Sequence, residues 1–241
     1  MTDDRWDEGG GRLEPVLGPP PMRETVAAAA YHRLREAILG GGIGMGIRIN
    51  EAELAAEWRI SRTPIRDALR RLEAEGLVQA SPGRGMVVPV LSRADVEELY
   101  AVRESLEGMA ARLAAERATP PFLIQLNTLL KTYGAALKRD DLPQLARIDA
   151  ALHDAVAQMA QNSRLEQAAH VTRLRLHGVH ARSFALRGRA GRTFREMATL
   201  VAAIRTKNPA RAESSMRAHL AGVRVEILAA FDDLTGATSG P

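Results

Sequence analysis

The chain has 241 residues, rich in alanine and leucine, with aromatics at only 4% and not one cysteine. This composition favours packed helices, and it excludes a disulfide framework, a thiolate metal site and a cysteine nucleophile. The formal charge of +4 is carried almost wholly by arginine, a residue suited to planar contacts with phosphate and guanine, and no apolar run approaches the roughly 18 residues a membrane span needs. A cytoplasmic location without a membrane partner is the resulting expectation.

Residues 1–24, with Gly9-Gly10-Gly11 and Pro19-Pro20-Pro21, cannot pack and read as a disordered tail, and residues 236–241 read as a short tail. From Thr25, the residues Val26, Ala30, Leu34 and Ile38 repeat at helical spacing until Gly40-Gly41-Gly42. Asn50 with Glu53 three positions on reads as a helix start, opening a short helix to about Trp58. A third helix follows within a few residues. Ser61 or Thr63 caps it, Pro64 sits in its first turn, and Ile65, Ala68, Leu69 and Leu72 give it one apolar face up to Glu75-Gly76. Residues 77–80 and 86–90 then read as two short strands joined by Ser81-Pro82-Gly83-Arg84-Gly85. Three helices and a small hairpin make a winged helix-turn-helix over residues 25–90.

The remainder, residues 91–235, keeps a helical period throughout. Ser92 with Asp95 reads as a capping box, and breaks fall at Thr119-Pro120-Pro121, Arg139-Asp140-Asp141, Gln161-Asn162-Ser163, Gly188 to Gly191 and Asn208-Pro209. These breaks predict about six antiparallel helices in a bundle. The fold class is therefore mainly α, a winged helix followed by a helical bundle.

At 100° per residue, Arg62, Arg66 and Arg70 share one arc of the third helix with Thr63 beside them, while its apolar residues take the adjoining arc. Such arginines also suit a merely solvated face. Held by a helix-turn-helix, however, the free face can enter a major groove, with Arg62, Thr63 and Arg66 nearest the bases and Arg70 nearer phosphate. Arg84 between Gly83 and Gly85 puts one cation at the wing tip, where it can meet a minor groove or the backbone.

The run Arg48-Ile49-Asn50-Glu51-Ala52-Glu53-Leu54-Ala55, followed by Ile60-Ser61-Arg62-Thr63-Pro64-Ile65-Arg66-Asp67-Ala68-Leu69-Arg70-Arg71-Leu72-Glu73-Ala74-Glu75-Gly76-Leu77-Val78, resembles the GntR family of winged-helix regulators. The helical remainder, including Tyr100-Ala101-Val102-Arg103 with Glu107, resembles the FCD ligand domain of that family's FadR branch. The resemblance implies a homodimer on an inverted-repeat operator in double-stranded DNA, commonly a repressor, whose affinity is changed by a small-molecule effector. The expected DNA-contacting set is Arg48, Ser61, Arg62, Thr63, Arg66, Arg70, Gly83, Arg84 and Gly85.

In the bundle, Asp149 and His153 are four apart on the helix whose apolar stripe includes Ile148, Leu152 and Val156, so both project from one side. A carboxylate and an imidazole so spaced can share a metal, with His219 of the last long helix completing the set from across the bundle. The resemblance puts all three on family metal ligands, whereas Met197 stands where the family usually has histidine. The alternative is an intrahelical Asp149–His153 hydrogen bond at a polar spot in the core. The expectation is no obligatory cofactor, with zinc or nickel as the divalent ion the cluster could take. Arg103 suits the carboxylate of an acidic effector, or else simply pairs with Glu107 one turn on, and His177 and His180 read as surface positions. Arg103, Asp149, His153, Met197 and His219 form the expected effector set. There is no H-E-x-x-H, no G-x-S-x-G and no phosphate-cradling glycine loop, so an enzyme is not expected; a metal-dependent hydrolase and a protein-interaction winged helix are the alternatives.

Overall fold

A computed structural model describes residues 25–40 and 42–235; the tails expected at 1–24 and 236–241 lie outside the described residues. Helix α1 (Val26–Leu39) starts at Thr25, whose side chain accepts from the Ala28 amide, and buries Ala30, Tyr31, Leu34 and Ile38. Strand β1 (Arg48–Ile49) leads into α2 (Glu51–Trp58), where Asn50 accepts from the Ala52 amide. Helix α3 (Arg62–Ala74) follows, then the hairpin β2 (Gln79–Ser81) and β3 (Gly85–Val87). Ile65, Ala68, Leu69 and Leu72 of α3 are fully enclosed against α1, and each large side chain so removed from water stabilises by roughly 2 kcal/mol. The Tyr31 hydroxyl donates to Glu75 Oε1 at 2.5 Å while the Arg71 guanidinium lies 3.9 Å above the Tyr31 ring, fastening α1 to the end of α3.

The wing differs from expectation in two ways. The paired strands are shorter than 77–80 and 86–90, because Leu77 and Val78 enter the core before pairing begins and Pro89 has no amide to extend the ladder. A third strand, β1, was also not anticipated: it pairs antiparallel with β3, Arg48 opposite Val87 and Ile49 opposite Met86, giving the order β1-β3-β2. Two residues are too few to display an alternating pattern. At the hairpin tip Gly83 (φ 71°) and Gly85 (φ 75°) take the left-handed turn that other residues resist.

The bundle comprises α4 (Arg93–Arg117), α5 (Pro120–Lys138), α6 (Leu142–Met159), α7 (Ser163–Ser183), α8 (Arg189–Arg205) and α9 (Pro209–Ala229), closed by the short α10 (Phe231–Thr235). The expected capping box forms, and three of the expected breaks carry caps. Ser92 and Asp95 make a complete capping box, and Asp141, Asn162 and Asn208 each accept an amide at the start of α6, α7 and α9. Between α7 and α8 the break lies earlier than Gly188 to Gly191: it spans residues 184–188, closes on Gly188 at φ 75°, and leaves Gly191 inside α8. The most extensive pairing is α4 against α9, where alanines such as Ala111 and Ala115 allow close approach. Among the described residues no helix is long and apolar enough to cross a membrane.

Helix α7 joins the two parts of the chain. Leu174 is buried in the core of the winged helix, and the His177 ring donates through Nε2 to the Leu39 carbonyl at the end of α1. Gly178 faces Met45, and Gly76 after α3 lies against Arg175 so closely that a Cβ there would stand 2.6 Å from its Nε.

Candidate nucleic-acid interface and effector site

The arcs read from the sequence are realised on α3. Arg62, Thr63, Arg66 and Arg70 are exposed, and Ser61 is its exposed N-cap residue with no side-chain capping bond. Pro64 occupies the first turn, where a missing amide costs nothing because those amides lack intrahelical partners. Arg66 is not wholly free: its Nη2 lies 3.0 Å from Glu51 Oε2 at the start of α2. An ion pair this exposed is weak and screened, so it can orient the guanidinium and still yield it to a stronger anion. That contact was missed because Glu51 is fifteen residues away and was read only as part of a helix start. Arg48 is exposed on edge strand β1, and Arg84 is exposed at the wing tip with its amide on the Ser81 carbonyl.

Asp149 and His153 on α6 meet His219 on α9 in the bundle interior, with one ligand atom of each within 4.8 Å of the others. All three are buried. The intrahelical Asp149–His153 hydrogen bond does not form: His153 Nε2 stands 3.8 Å from Asp149 Oδ2. His153 Nδ1 instead donates to Glu107 Oε2 at 2.5 Å, across from α6 to α4, and His219 Nδ1 donates to Glu196 Oε2 at 2.7 Å. Each carboxylate fixes the ring tautomer and turns the Nε2 lone pair inward. His153 Nε2, His219 Nε2 and Asp149 Oδ1 are consequently buried without a hydrogen-bond partner.

The expectation that His177 and His180 lie at the surface is incorrect, because α7 is clamped between the bundle and the winged helix. His180 Nε2 donates to Asp149 Oδ2 at 2.9 Å, and the Tyr100 hydroxyl faces its Nδ1 at 3.3 Å. Burial pushes the Tyr100 phenol to about 12, keeping it a donor, and pushes His180 down to about 4 against the opposing pull of Asp149. Burial likewise lowers His219, with Glu196 opposing it. Burial alone would raise Asp149, but the surrounding His153, His180 and His219 outweigh it and hold the carboxyl below the usual range. Near neutral pH the cluster thus offers an ionised carboxylate, with the His180 and His219 rings uncharged.

Arg103 pairs with Glu107, Nε to Oε1 at 2.7 Å, both groups only 2% exposed. Glu107 therefore serves two partners at once, and burial's upward push on it is overcome by Arg103, His153 and Arg173. Arg173 of α7 also binds Asp154, while its buried Nη1, 3.7 Å from Glu107 Oε2, makes no hydrogen bond. Met197 is buried in α8 within the bundle core. The sequence reading gave Glu196, Tyr100 and Arg173 no part in the cluster, set His180 at the surface, and took Glu107 only as a brace for Arg103. A cleft of about 810 Å³ opens beside this cluster, lined by Arg103, Asp149, His153 and His180 and extending to the winged helix at Leu39 and Val88.

Residues 98–222 match the FCD domain, and residues 26–88 match the bacterial regulatory proteins of the gntR family. The chain is 39% identical over 138 residues to an uncharacterized HTH-type transcriptional regulator in the TAR-I ttuE-ttuC' intergenic region of Agrobacterium vitis, covering 55% of this chain and 80% of that protein. It is 29% identical over 191 residues to the HTH-type regulator YdhC of Bacillus subtilis, covering 78% of this chain and 85% of YdhC. The solved structure of E. coli McbR/YncC shares the fold, with a TM-score of 0.70 at 23% identity over 88% of this chain and 99% of that one.

Proposed function

Because this chain belongs to the GntR family of bacterial regulators and carries an FCD effector-binding domain, we propose that it is a cytoplasmic homodimeric repressor whose grip on an inverted-repeat operator is set by a carboxylate-bearing metabolite. Residues 25–90 meet the DNA, residues 91–235 bind effector and pair the subunits, and the role is binding rather than catalysis. The observation that carries the reading is α3: one face is locked into the core, while Arg62, Thr63, Arg66 and Arg70 are left outward near its start and along its length. Arg84 at the wing tip, Arg48 on β1 and Ser61 ahead of α3 are exposed as well and supply further cationic and polar groups to the DNA.

The residues of the bundle fit a divalent ion. Asp149 Oδ1, His153 Nε2 and His219 Nε2 are buried, unpartnered and mutually close, and Glu107 and Glu196 support the two imidazoles from behind. Asp149, His153 and His219 would hold zinc or nickel, which when bound supplies a Lewis-acid contact for an effector carboxylate. Met197, a soft uncharged thioether, leaves the set at three strong donors. Arg103 is committed to Glu107, so its part is to hold that carboxylate ionised beneath His153.

The test is fluorescence anisotropy on duplex DNA with a salt titration, joined to footprinting and sedimentation. Steeply falling affinity with salt, a protected inverted repeat and a dimer are expected. A monomer, or salt-insensitive association, would overturn the reading.

A further inference from the structure

Of Arg62, Arg66 and Arg70 on the outward arc of α3, Arg66 alone has an acidic partner among the described residues. Its Nε, at 3.2 Å, and its Nη2, at 3.0 Å, both donate to Oε2 of Glu51, so the carboxylate takes the guanidinium along one edge. A guanidinium carries five N–H groups in a rigid plane, and this contact engages one on each of two nitrogens. The Nη1 groups and the second N–H of Nη2 remain. They form the edge at the end of the side chain, a fork that matches O6 and N7 of guanine. Glu51 lies in the first turn of α2, a position that favours a negative side chain.

Resting on the regulator reading above, we propose that Glu51 is a positioning residue for sequence selection: it holds the plane of Arg66 so that the far edge meets a base, and it keeps Arg66 from the phosphate backbone. In water the pair is weak, but in a groove from which water is displaced the attraction strengthens as the local dielectric falls. Guanine is uncharged, so its edge accepts from Arg66 while the carboxylate stays in place. A phosphate takes Arg66 only by adding a second anion to the same guanidinium or by leaving Glu51 unpaired against a polyanion. The pair therefore weakens sequence-blind binding, which phosphate contacts dominate, and preserves base reading.

The experiment selects duplexes from a randomised library with the full-length protein, then measures anisotropy on the selected duplex and on a scrambled duplex of the same composition. Glu51→Gln keeps the size of the side chain and removes its charge, and Glu51→Ala removes the acceptor altogether. Both variants should bind the scrambled duplex roughly 3- to 10-fold more tightly, with a steeper salt dependence. On the selected duplex that gain is offset by the loss of Arg66 alignment, so the ratio of the two affinities should fall about tenfold. A repeat selection should show both variants losing the same base preference that Arg66→Ala loses. In the Arg66→Ala background Glu51→Gln should change the ratio by less than about twofold, because the two residues act as one unit. A Glu51 that served only the fold would shift the melting midpoint and leave the ratio alone, so circular dichroism melts accompany every variant. A ratio within about twofold of wild type in both folded variants overturns the proposal, as does an equal fall in the Arg66→Ala background. With a wild type that prefers its selected duplex, those results reject the role of Glu51 alone; a wild type without preference between the two duplexes rejects the regulator reading as well.

Discussion

Replacing Glu107 with glutamine removes one charge from the centre of the bundle and leaves the size of the side chain unchanged. In the native fold Oε1 receives Arg103 Nε at 2.7 Å and Oε2 receives His153 Nδ1 at 2.5 Å, with Arg173 Nη1 3.7 Å away. At an effective dielectric of about 20, the Arg103 contact alone is worth roughly 6 kcal/mol of gross Coulomb attraction, much of it offset by the desolvation of both groups. Removing one partner forfeits the attraction while the desolvation of the other remains, and such losses run to about 3–5 kcal/mol. For a chain of this size that lowers the melting midpoint by about 10 °C. Zinc affinity should fall as well, by roughly 10- to 100-fold, because the amide holds the His153 ring less firmly and does not raise its basicity. Differential scanning fluorimetry and competitive zinc titration read the two effects. The double variant Arg103→Leu with Glu107→Leu separates them: an apolar pair restores much of the stability and none of the zinc affinity. A Glu107→Gln protein that melts within about 2 °C of wild type and binds zinc equally well would refute this account of the carboxylate.

Met197→His should raise zinc content after dialysis and make the melting midpoint chelator-sensitive by adding a nitrogen donor, with roughly tenfold tighter binding as the expected minimum; unchanged metal content would show that the Met197 side chain does not face the ligand cluster. Arg62→Ala and Arg66→Ala should each weaken operator binding roughly 5- to 150-fold and relax base preference, while Arg70→Ala should weaken all sequences alike; equal, sequence-blind losses in a panel of mutated duplexes would remove the base-reading role. His177 is held below the ordinary imidazole range by burial, opposed by its bond to the Leu39 carbonyl and reinforced by Arg35. The unfolded chain therefore takes up this proton first, and the stability contributed by the neutral ring is complete above about pH 6.5 and is lost as pH falls below it. His177→Gln should flatten the fall of the melting midpoint between about pH 7 and pH 5.5, and a slope identical to wild type would contradict it.

Local chemistry alone was enough to read the helices and the free face of α3. The Asn50 and Ser92 caps, the Asp141, Asn162 and Asn208 starts and the 3.6-residue period all act within a few residues, so they are written in the order of the chain. The same local geometry put Asp149 and His153 on one side of α6. Strand β1 escaped notice because its partner Val87 is thirty-nine positions on and two residues carry no period. What the polar side chains do was decided only by packing. Glu107 reaches His153 across 46 residues, His180 reaches Asp149 across 31, and His219 reaches Glu196 across 23. Sequence spacing allowed either a shared metal or an Asp149–His153 bond, and the tertiary structure supplied both residues with better-placed hydrogen-bond partners on neighbouring helices. A buried polar group takes whichever donor or acceptor the packed helices bring within about 3 Å, and that choice depends on how whole helices cross rather than on their own periods.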